Sequence, residues 1–139
     1  MSPETGYFLD KARKLIGEAD AMLTISLHDA AGRAAYLAGF HAAQALISEK
    51  TGRSVKTHKG VHSELHRLTK DDPDFTPDLR SFLSQAYNLK AIADYETDPD
   101  AGISPERAVS AVETARRFVA FFENILSITG LKGNSGVSE

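Results

Sequence analysis

The sequence predicts an all-α fold, an up-and-down bundle of four to five helices. Apolar residues recur at intervals of three and four along most of the 139-residue chain. No stretch shows the alternating pattern of a strand bounded by hairpin turns. The segments between the periodic stretches are short, so consecutive helices should be antiparallel neighbours in one bundle.

The first two helices have clear starts and faces. Ser2-Pro3 opens the first, because proline is favoured in the first helical turn. Asp29, a good N-cap type, begins the second, which runs to about Lys50 and is stopped by Thr51-Gly52. The second helix is rich in alanine and glycine, so other helices can approach it closely and we expect it to be central. The apolar face of the first helix comprises Phe8, Ala12, Leu15, Ala19 and Met22.

Three more helices follow. The third starts near Thr57 and the fourth at Thr76-Pro77-Asp78. Ser104-Pro105-Glu106 opens the fifth, which we predict to end near Thr129 with Gly130 as its C-cap. We therefore predict a helical bundle over residues 1–129 and a flexible C-terminal tail over residues 130–139. The expected core includes Leu15, Ala38, Ala42, Phe82, Val112 and Phe122.

Composition excludes several classes of protein. The chain has no cysteine, which excludes disulfides and thiolate metal sites. Its charged N-terminus does not resemble a signal peptide. The longest apolar-looking run, residues 30–47, contains Arg33, His41 and Gln44, which a bilayer would penalise. We therefore expect a cytoplasmic protein without a membrane span.

Charge is unevenly distributed. The formal net charge of −3 gives no support to a dedicated nucleic-acid binder. Residues 50–70, however, hold six lysines and arginines against one glutamate, with Glu49 just before them, whereas residues 94–100 hold four carboxylates and no base. The basic stretch is either a local binding face or a solvated helix surface.

Known catalytic and cofactor motifs are absent from the sequence. It has no nucleophile elbow, phosphate-binding loop or dinucleotide fingerprint, and we predict no cofactor. His58, His62 and His66 form a stripe spaced by four on the third helix. Two such histidines can bind a metal ion, but no nearby carboxylate completes a site. We therefore interpret the stripe as a polar flank and predict no metal.

One polar set interrupts the small-residue faces of helices two and four: Arg33, Tyr36, Lys90, Asp94 and Tyr95. Charges among small apolar residues are usually paired when buried. The set is either a structural ion pair that fixes helix register or a pocket for a phosphate or nucleotide. In both cases we expect Asp94 to accept a hydrogen bond from Arg33 or Tyr36.

Three segments in order resemble the HEPN family of small helical proteins. The segment from Arg33 through Tyr36 and Phe40-His41 to Leu46 resembles the family's second-helix signature. Thr57-His58-Lys59-Gly60-Val61 is similar to the start of the next helix in one uncharacterised subgroup. Lys90-Ala-Ile-Ala-Asp94-Tyr95 is similar to that subgroup's Arg-x-x-Ala-Asp-Tyr. Spacing and order agree from about Leu9 to Leu126.

The resemblance implies a four- to five-helix bundle that is often dimeric. Family members commonly partner a small nucleotidyltransferase in toxin–antitoxin or related defence systems. Many are metal-independent ribonucleases with an Arg-x(4–6)-His motif, in which Arg would steady the phosphate and His would assist proton transfer. Here Lys90 stands where the subgroup has Arg, and no histidine follows His66. Arg53 and His58 match the catalytic spacing, but they span a loop, so we interpret the match as coincidence.

Two functions remain open after this comparison. The first is a non-catalytic or weakly active dimerising module that pairs with a nucleotidyltransferase. The alternative is a metal-independent ribonuclease or an RNA-binding toxin component with an altered site. Whether the chain is an enzyme is thus left open. We expect the homodimer to use a face of the fifth helix, unless that face packs within the chain; the face comprises Ser110, Thr114, Arg117 and Phe121.

Overall fold

The computed structural model describes the backbone of residues 1–138 and the side chains of residues 1–127. The described part contains helices and no strand, which confirms the predicted all-α bundle. The fifth helix continues to Ser138, past the predicted end near residue 129 and the predicted C-cap Gly130, so that end was wrong. The flexibility predicted for residues 130–139 stays a prediction. The elements are α1 (Pro3–Thr24), α2 (His28–Thr51), α3 (His58–Thr69), α4 (Pro77–Tyr95), a 3-10 turn (Pro99–Ala101) and α5 (Pro105–Ser138).

The helix starts show which capping predictions hold at atomic level. The Ser2 hydroxyl accepts the backbone N–H of Thr5, and the Thr57 hydroxyl accepts that of Gly60. Both satisfy donors that a helix leaves unpaired in its first turn. Thr76 differs, because its hydroxyl donates to the Asp78 carboxylate instead of capping the backbone.

Asp29 has a different role from the predicted one. α2 begins at His28 after a Leu27 cap residue without a side-chain cap. The Asp29 carboxylate accepts the backbone N–H of Ile103 at 2.7 Å, across 74 residues of sequence. Asp29 therefore ties the start of α2 to the loop between α4 and α5. The prediction of Asp29 as an N-cap was wrong because a carboxylate in the first turn can also reach outward to another segment.

α2 is central, as its small residues indicate. It packs against α1, α4 and α5 as well as α3, and most of its alanines are fully buried. At Gly39, an added Cβ would lie 2.6 Å from Cε2 of Phe82, so α2 and α4 approach closely there. Five of the six predicted core residues are buried, and Leu15 packs at the edge of the core.

α3 is short and lies mainly against α2. Its buried residues are Val61, Leu65 and Thr69. It touches α4 along a much smaller area, which leaves a groove between the two helices. Among the described residues, no helix combines the length and apolarity required to cross a bilayer.

Candidate functional site

A three-residue ion cluster joins α2 to α4. The Asp94 carboxylate accepts Nε of Arg33 at 2.8 Å through one oxygen and Nζ of Lys90 at 2.7 Å through the other. Lys90 lies one turn before Asp94 on α4, and Arg33 reaches them from α2. Three of the five residues predicted from the sequence are thus brought together.

The cluster lies at the surface. The Arg33 side chain is 48% exposed and that of Asp94 is 22% exposed. The hydrogen bond from Lys90, followed by that from Arg33, lowers the pKa of Asp94 below its usual value. Because two cations share one carboxylate, the cluster carries one net positive charge. No hydrogen bond within the described residues uses the terminal guanidinium nitrogens of Arg33, so these donors face solvent.

Tyr36 is directed away from this cluster and toward α3. Its side chain is fully buried, and its hydroxyl lies 2.7 Å from Nδ1 of His58 and 2.9 Å from Nε2 of His62. A phenol has one proton to donate, so it can donate to one imidazole while it accepts from the other. An unprotonated ring nitrogen of one histidine and a protonated ring nitrogen of the other are therefore linked through a single oxygen.

Both imidazoles favour the neutral form. Burial, and next the nearby Lys90 cation, lowers the pKa of His58; burial, and next His58 itself, lowers the pKa of His62. Burial also raises the pKa of Tyr36 well above its usual value, so its hydroxyl stays protonated. A neutral imidazole can accept a proton as a general base does, although the lowered pKa makes each of these imidazoles a weaker base than a free histidine.

The sequence-based prediction did not include Tyr87. Its ring centroid lies 5.3 Å from that of Tyr36, 5.1 Å from His58 and 6.0 Å from His62, and the residue keeps 40% exposure. Tyr87 therefore forms the outer side of an aromatic cluster with Tyr36 beneath it. The spacing from Tyr87 to Lys90 is one helical turn, and this spacing could have indicated that both lie on one face of α4.

Two predicted residues stand apart from the cluster. Tyr95 is 77% exposed at the end of α4, and no described contact joins it to Arg33 or Tyr36. Arg53 pairs with Glu64 at 3.4 Å, whereas His58 bonds to Tyr36. The structure thus separates the two residues of the sequence match at Arg53 and His58.

Only part of the predicted interface face of α5 remains open. Phe121 packs within the chain, with its ring centroid 5.2 Å from that of Phe75, and Arg117 pairs with Asp78 at 2.7 Å. Ser110 and Thr114 instead line an open groove of about 410 Å³ between α4 and α5. Phe121 is the aromatic residue of the predicted interface face. It packs against another part of the same chain, because the loop before α4 brings Phe75 against it.

Metal binding has little support from this geometry. Within the described residues, no three histidine or carboxylate side chains cluster closely enough to hold an ion. The two ring nitrogens that converge do so on the hydroxyl of Tyr36.

The fold and this surface define a class: small helical-bundle proteins with polar and aromatic groups between the second, third and fourth helices. The HEPN domain model matches residues 5–125, and the chain belongs to the HEPN family. It is also similar to a UPF0332 protein of Archaeoglobus fulgidus, with 29% identity over 117 residues that cover 84% of this chain and 90% of the relative. At the level of the family, these findings support an RNA-related or toxin–antitoxin-type module.

Proposed function

We propose that this chain is a non-catalytic or weakly active HEPN module of a cytoplasmic toxin–antitoxin or defence-type system. In this proposal the module forms a homodimer and pairs with a nucleotidyltransferase. The main support is the arrangement around Asp94. Lys90 occupies the position where the resemblance implies a catalytic arginine, and its charge is engaged by Asp94 at 2.7 Å.

The proton-transfer group implied by the family motif has no counterpart on α4. No histidine follows His66 in the sequence, so none can lie one turn beyond Lys90. Lysine also lacks the planar fork that holds a phosphate through two hydrogen bonds. The α4 segment therefore lacks both parts of the usual Arg and His pair.

Co-expression tests the pairing directly. The chain, tagged at one terminus, is expressed together with the nucleotidyltransferase encoded by a neighbouring gene, and the complex is purified by affinity and size-exclusion chromatography. We expect one complex of defined stoichiometry. Separate elution of the two proteins at micromolar concentration, or the absence of such a neighbouring gene, would contradict the proposal.

A metal-independent ribonuclease or RNA-binding toxin component is the second candidate, and the pair His58 and His62 favours it. Both imidazoles lie at the Tyr36 hydroxyl, and Lys90 is close enough to lower the pKa of His58. The purified protein is incubated with total RNA and a metal chelator, beside His58→Ala, Arg33→Ala and the control Arg53→Ala. Cleavage that His58→Ala abolishes and Arg53→Ala retains would support this candidate. Intact RNA in every sample supports the non-catalytic module.

A further inference from the structure

A small cavity of about 180 Å³ lies between α3 and α4. Its apolar lining consists of the buried side chains of Leu65, Phe75 and Leu83. The polar groups that line it belong to His62, His66, Thr69, Arg80 and Ser84. The cavity therefore combines a guanidinium, two imidazoles and two hydroxyls with an apolar surface, and no carboxylate of the described residues lines it.

Arg80 supplies the one permanent charge of this lining. Its guanidinium carbon lies 5.2 Å from the centroid of the Phe75 ring, and one terminal nitrogen donates to the Asp72 carbonyl oxygen at 2.6 Å. Both contacts hold the guanidinium in place, and neither neutralises its charge. Asp78, a carboxylate of the first turn of α4, is paired with Arg117 instead. The remaining N–H donors of Arg80 have no partner among the described residues, so the cation can pair with an anion in the cavity.

His62 contributes one ring nitrogen to the same cavity. Its Nε2 lies 2.9 Å from the Tyr36 hydroxyl, so Nδ1 is the nitrogen left for a ligand. Burial, and next the neighbouring His58, lowers the pKa of His62 and favours the neutral ring. A neutral imidazole carries its proton on one nitrogen only. Nδ1 therefore donates to an anion when Nε2 accepts from the Tyr36 hydroxyl.

The charge and shape of the lining favour a monocarboxylate over other anions. The planar fork of an arginine holds both oxygens of a carboxylate through two parallel hydrogen bonds. A phosphate dianion would retain an uncompensated charge, because the neutral ring of His62 adds none to that of Arg80. The apolar lining in turn favours a ligand with an apolar body. A volume of about 180 Å³ corresponds to about six water molecules at about 30 Å³ each, which limits this body to a short branched chain or one aromatic ring.

We propose that the cavity between α3 and α4 binds a small monocarboxylate with a branched aliphatic or aromatic body. The carboxylate pairs with Arg80 and accepts a hydrogen bond from Nδ1 of His62, and the body packs against the apolar lining. A free acid and the C-terminal residue of a peptide chain both offer this chemistry. The inference is independent of the proposed function, because it requires neither RNA nor a nucleotidyltransferase.

Binding at this cavity would set the direction of the hydrogen bonds around Tyr36. A ligand that accepts from Nδ1 of His62 leaves Nε2 of that ring as an acceptor, so the Tyr36 hydroxyl donates to it. The hydroxyl oxygen then accepts the proton on Nδ1 of His58. The ligand thus selects the same tautomer in both histidines, and this coupling can be measured.

NMR titration of the isotopically labelled full chain with benzoate tests the proposal. Long-range correlation spectra of the imidazole nitrogens report the tautomer of each histidine. We expect the rings of His58 and His62 to shift to the form protonated at Nδ1 with one shared Kd. A Kd of about 1 mM is reasonable for a ligand of about nine non-hydrogen atoms. Benzamide has the same shape without the charge and should bind at least about tenfold more weakly.

Two pairs of variants locate the site. Arg80→Gln should weaken benzoate binding at least about tenfold, whereas Arg107→Gln makes the same change in the groove between α4 and α5 and should leave the Kd unchanged. Arg80 also holds the turn before α4, so the second pair retains it. Ser84→Met occupies the cavity with a longer side chain and should prevent binding. The matched Gln85→Met, on the next residue but in the other groove, should not. The melting temperature of each variant is measured first.

A comparison of two further ligands distinguishes the sources of the carboxylate. Isocaproate and an acetylated tripeptide that ends in leucine share a carboxylate and a branched apolar tail. Tighter binding of isocaproate assigns the cavity to free acids, and tighter binding of the tripeptide assigns it to chain termini. Amidation of the peptide terminus should abolish binding in the second case.

Three outcomes would overturn the proposal. The first is the absence of any shift of the His62 ring at about 20 mM benzoate, well above the expected Kd. The second is equal binding of benzamide and benzoate, which would leave Arg80 without a role. The third is inorganic phosphate binding as tightly as benzoate, which would make the cavity a general oxyanion site. Separate elution of the two proteins in the co-expression experiment, by contrast, would leave this inference unaffected.

Discussion

At the scale of single residues, Tyr36 organises the candidate site through one hydroxyl. Tyr36 is fully buried, so replacing it with phenylalanine leaves the ring nitrogens of His58 and His62 without their shared hydroxyl partner. We expect Tyr36→Phe to lower the free energy of unfolding by about 1–3 kcal/mol, the usual cost of unsatisfied buried polar groups. Urea unfolding followed by circular dichroism measures it.

Tyr87→Phe is the matched control for this change. The described residues show ring contacts of Tyr87 but no hydrogen bond of its hydroxyl, so its unfolding free energy should stay within about 0.5 kcal/mol of the wild type. An equal effect of the two substitutions would show that the hydroxyl of Tyr36 contributes nothing beyond its ring.

Asp94 makes a smaller contribution than a buried ion pair would. The Arg33 side chain is 48% exposed, that of Lys90 16% and that of Asp94 22%, and ion pairs at a protein surface contribute less than about 1 kcal/mol each. We therefore expect Asp94→Asn, which removes the charge from both pairs, to lower the free energy of unfolding by no more than about 2 kcal/mol. A double-mutant cycle with Arg33→Ala, measured by urea unfolding, separates the Arg33 contact from the Lys90 contact. A coupling energy between Arg33 and Asp94 well above about 1 kcal/mol would contradict a surface pair, because it would mean that the pair is less solvated than its exposure indicates.

The pair of Arg33 and Asp94 was predictable from the sequence, but the role of Tyr36 was not. Asp94 is the one carboxylate in a set that contains two cations, so charge alone selects the partners. The hydroxyl of Tyr36 had several candidate partners, and helical spacing places His58 and His62 on one face without saying which neighbouring helix that face meets. Tyr95 was misjudged for a related reason: it adjoins Asp94 in sequence, but neighbouring positions on a helix point in directions about 100° apart.

At the scale of elements, the approach of α2 to α4 depends on Gly39. An added Cβ would lie 2.6 Å from Cε2 of Phe82 and 3.1 Å from Cδ2 of Leu83, both of which are buried. Alanine improves helix propensity by up to about 1 kcal/mol, but forcing the two helices apart costs about 1–3 kcal/mol. We expect Gly39→Ala to be destabilising in urea unfolding.

Gly17→Ala separates propensity from packing. Gly17 lies on the exposed side of α1, and no heavy atom would meet its Cβ within 4 Å. The substitution should raise the free energy of unfolding by up to about 1 kcal/mol. Stabilisation by both substitutions would mean that Phe82 and Leu83 can move aside without cost.

We expect the stability of α3 to depend on pH through His58 and His62. Their pKa values are lowered in the folded state, so the unfolded chain binds protons more readily below its usual histidine value of about 6.5. Stability is then complete above that pH and falls as the pH decreases toward the folded pKa values. As the pH falls below about 6.5, hydrogen exchange should show α3 amides losing protection before those of α2 do, because α3 buries few residues. Parallel loss of protection in both helices would contradict a local effect.

Helix boundaries were predictable where a short sequence pattern is typical of a single structure. Proline in the first turn and a preceding serine or threonine gave the starts of α1, α4 and α5 to within a residue. Asp29 and Phe121 show the limit. The contact of Asp29 with Ile103 and that of Phe121 with Phe75 both link residues far apart in sequence. Periodicity identifies an apolar or polar face, whereas the loop geometry that brings distant segments together decides what covers it.

At the scale of the whole molecule, the proposed homodimer requires a face that the chain leaves open. Phe121 is covered by Phe75 of the same chain. The groove between α4 and α5 is open, and it is lined by Ser110 and Thr114 together with the apolar residues Ala86 and Leu89. Val109, which is 42% exposed, lies on α5 next to it. An open groove with an exposed aliphatic residue at its margin is a suitable surface for a second copy of the chain.

We therefore expect Val109→Glu to shift the chain from dimer to monomer, because each symmetric interface would contain the new charge twice. Multi-angle light scattering at micromolar concentration measures the mass, and an unchanged circular dichroism spectrum excludes unfolding. Ile25→Glu is the matched control, since Ile25 is 67% exposed in the turn between α1 and α2, does not line the groove between α4 and α5, and should leave the mass unchanged. A wild-type monomer would remove the homodimer from the proposed function. A dimer that resists Val109→Glu but dissociates with Ile25→Glu would move the interface to the turn between α1 and α2.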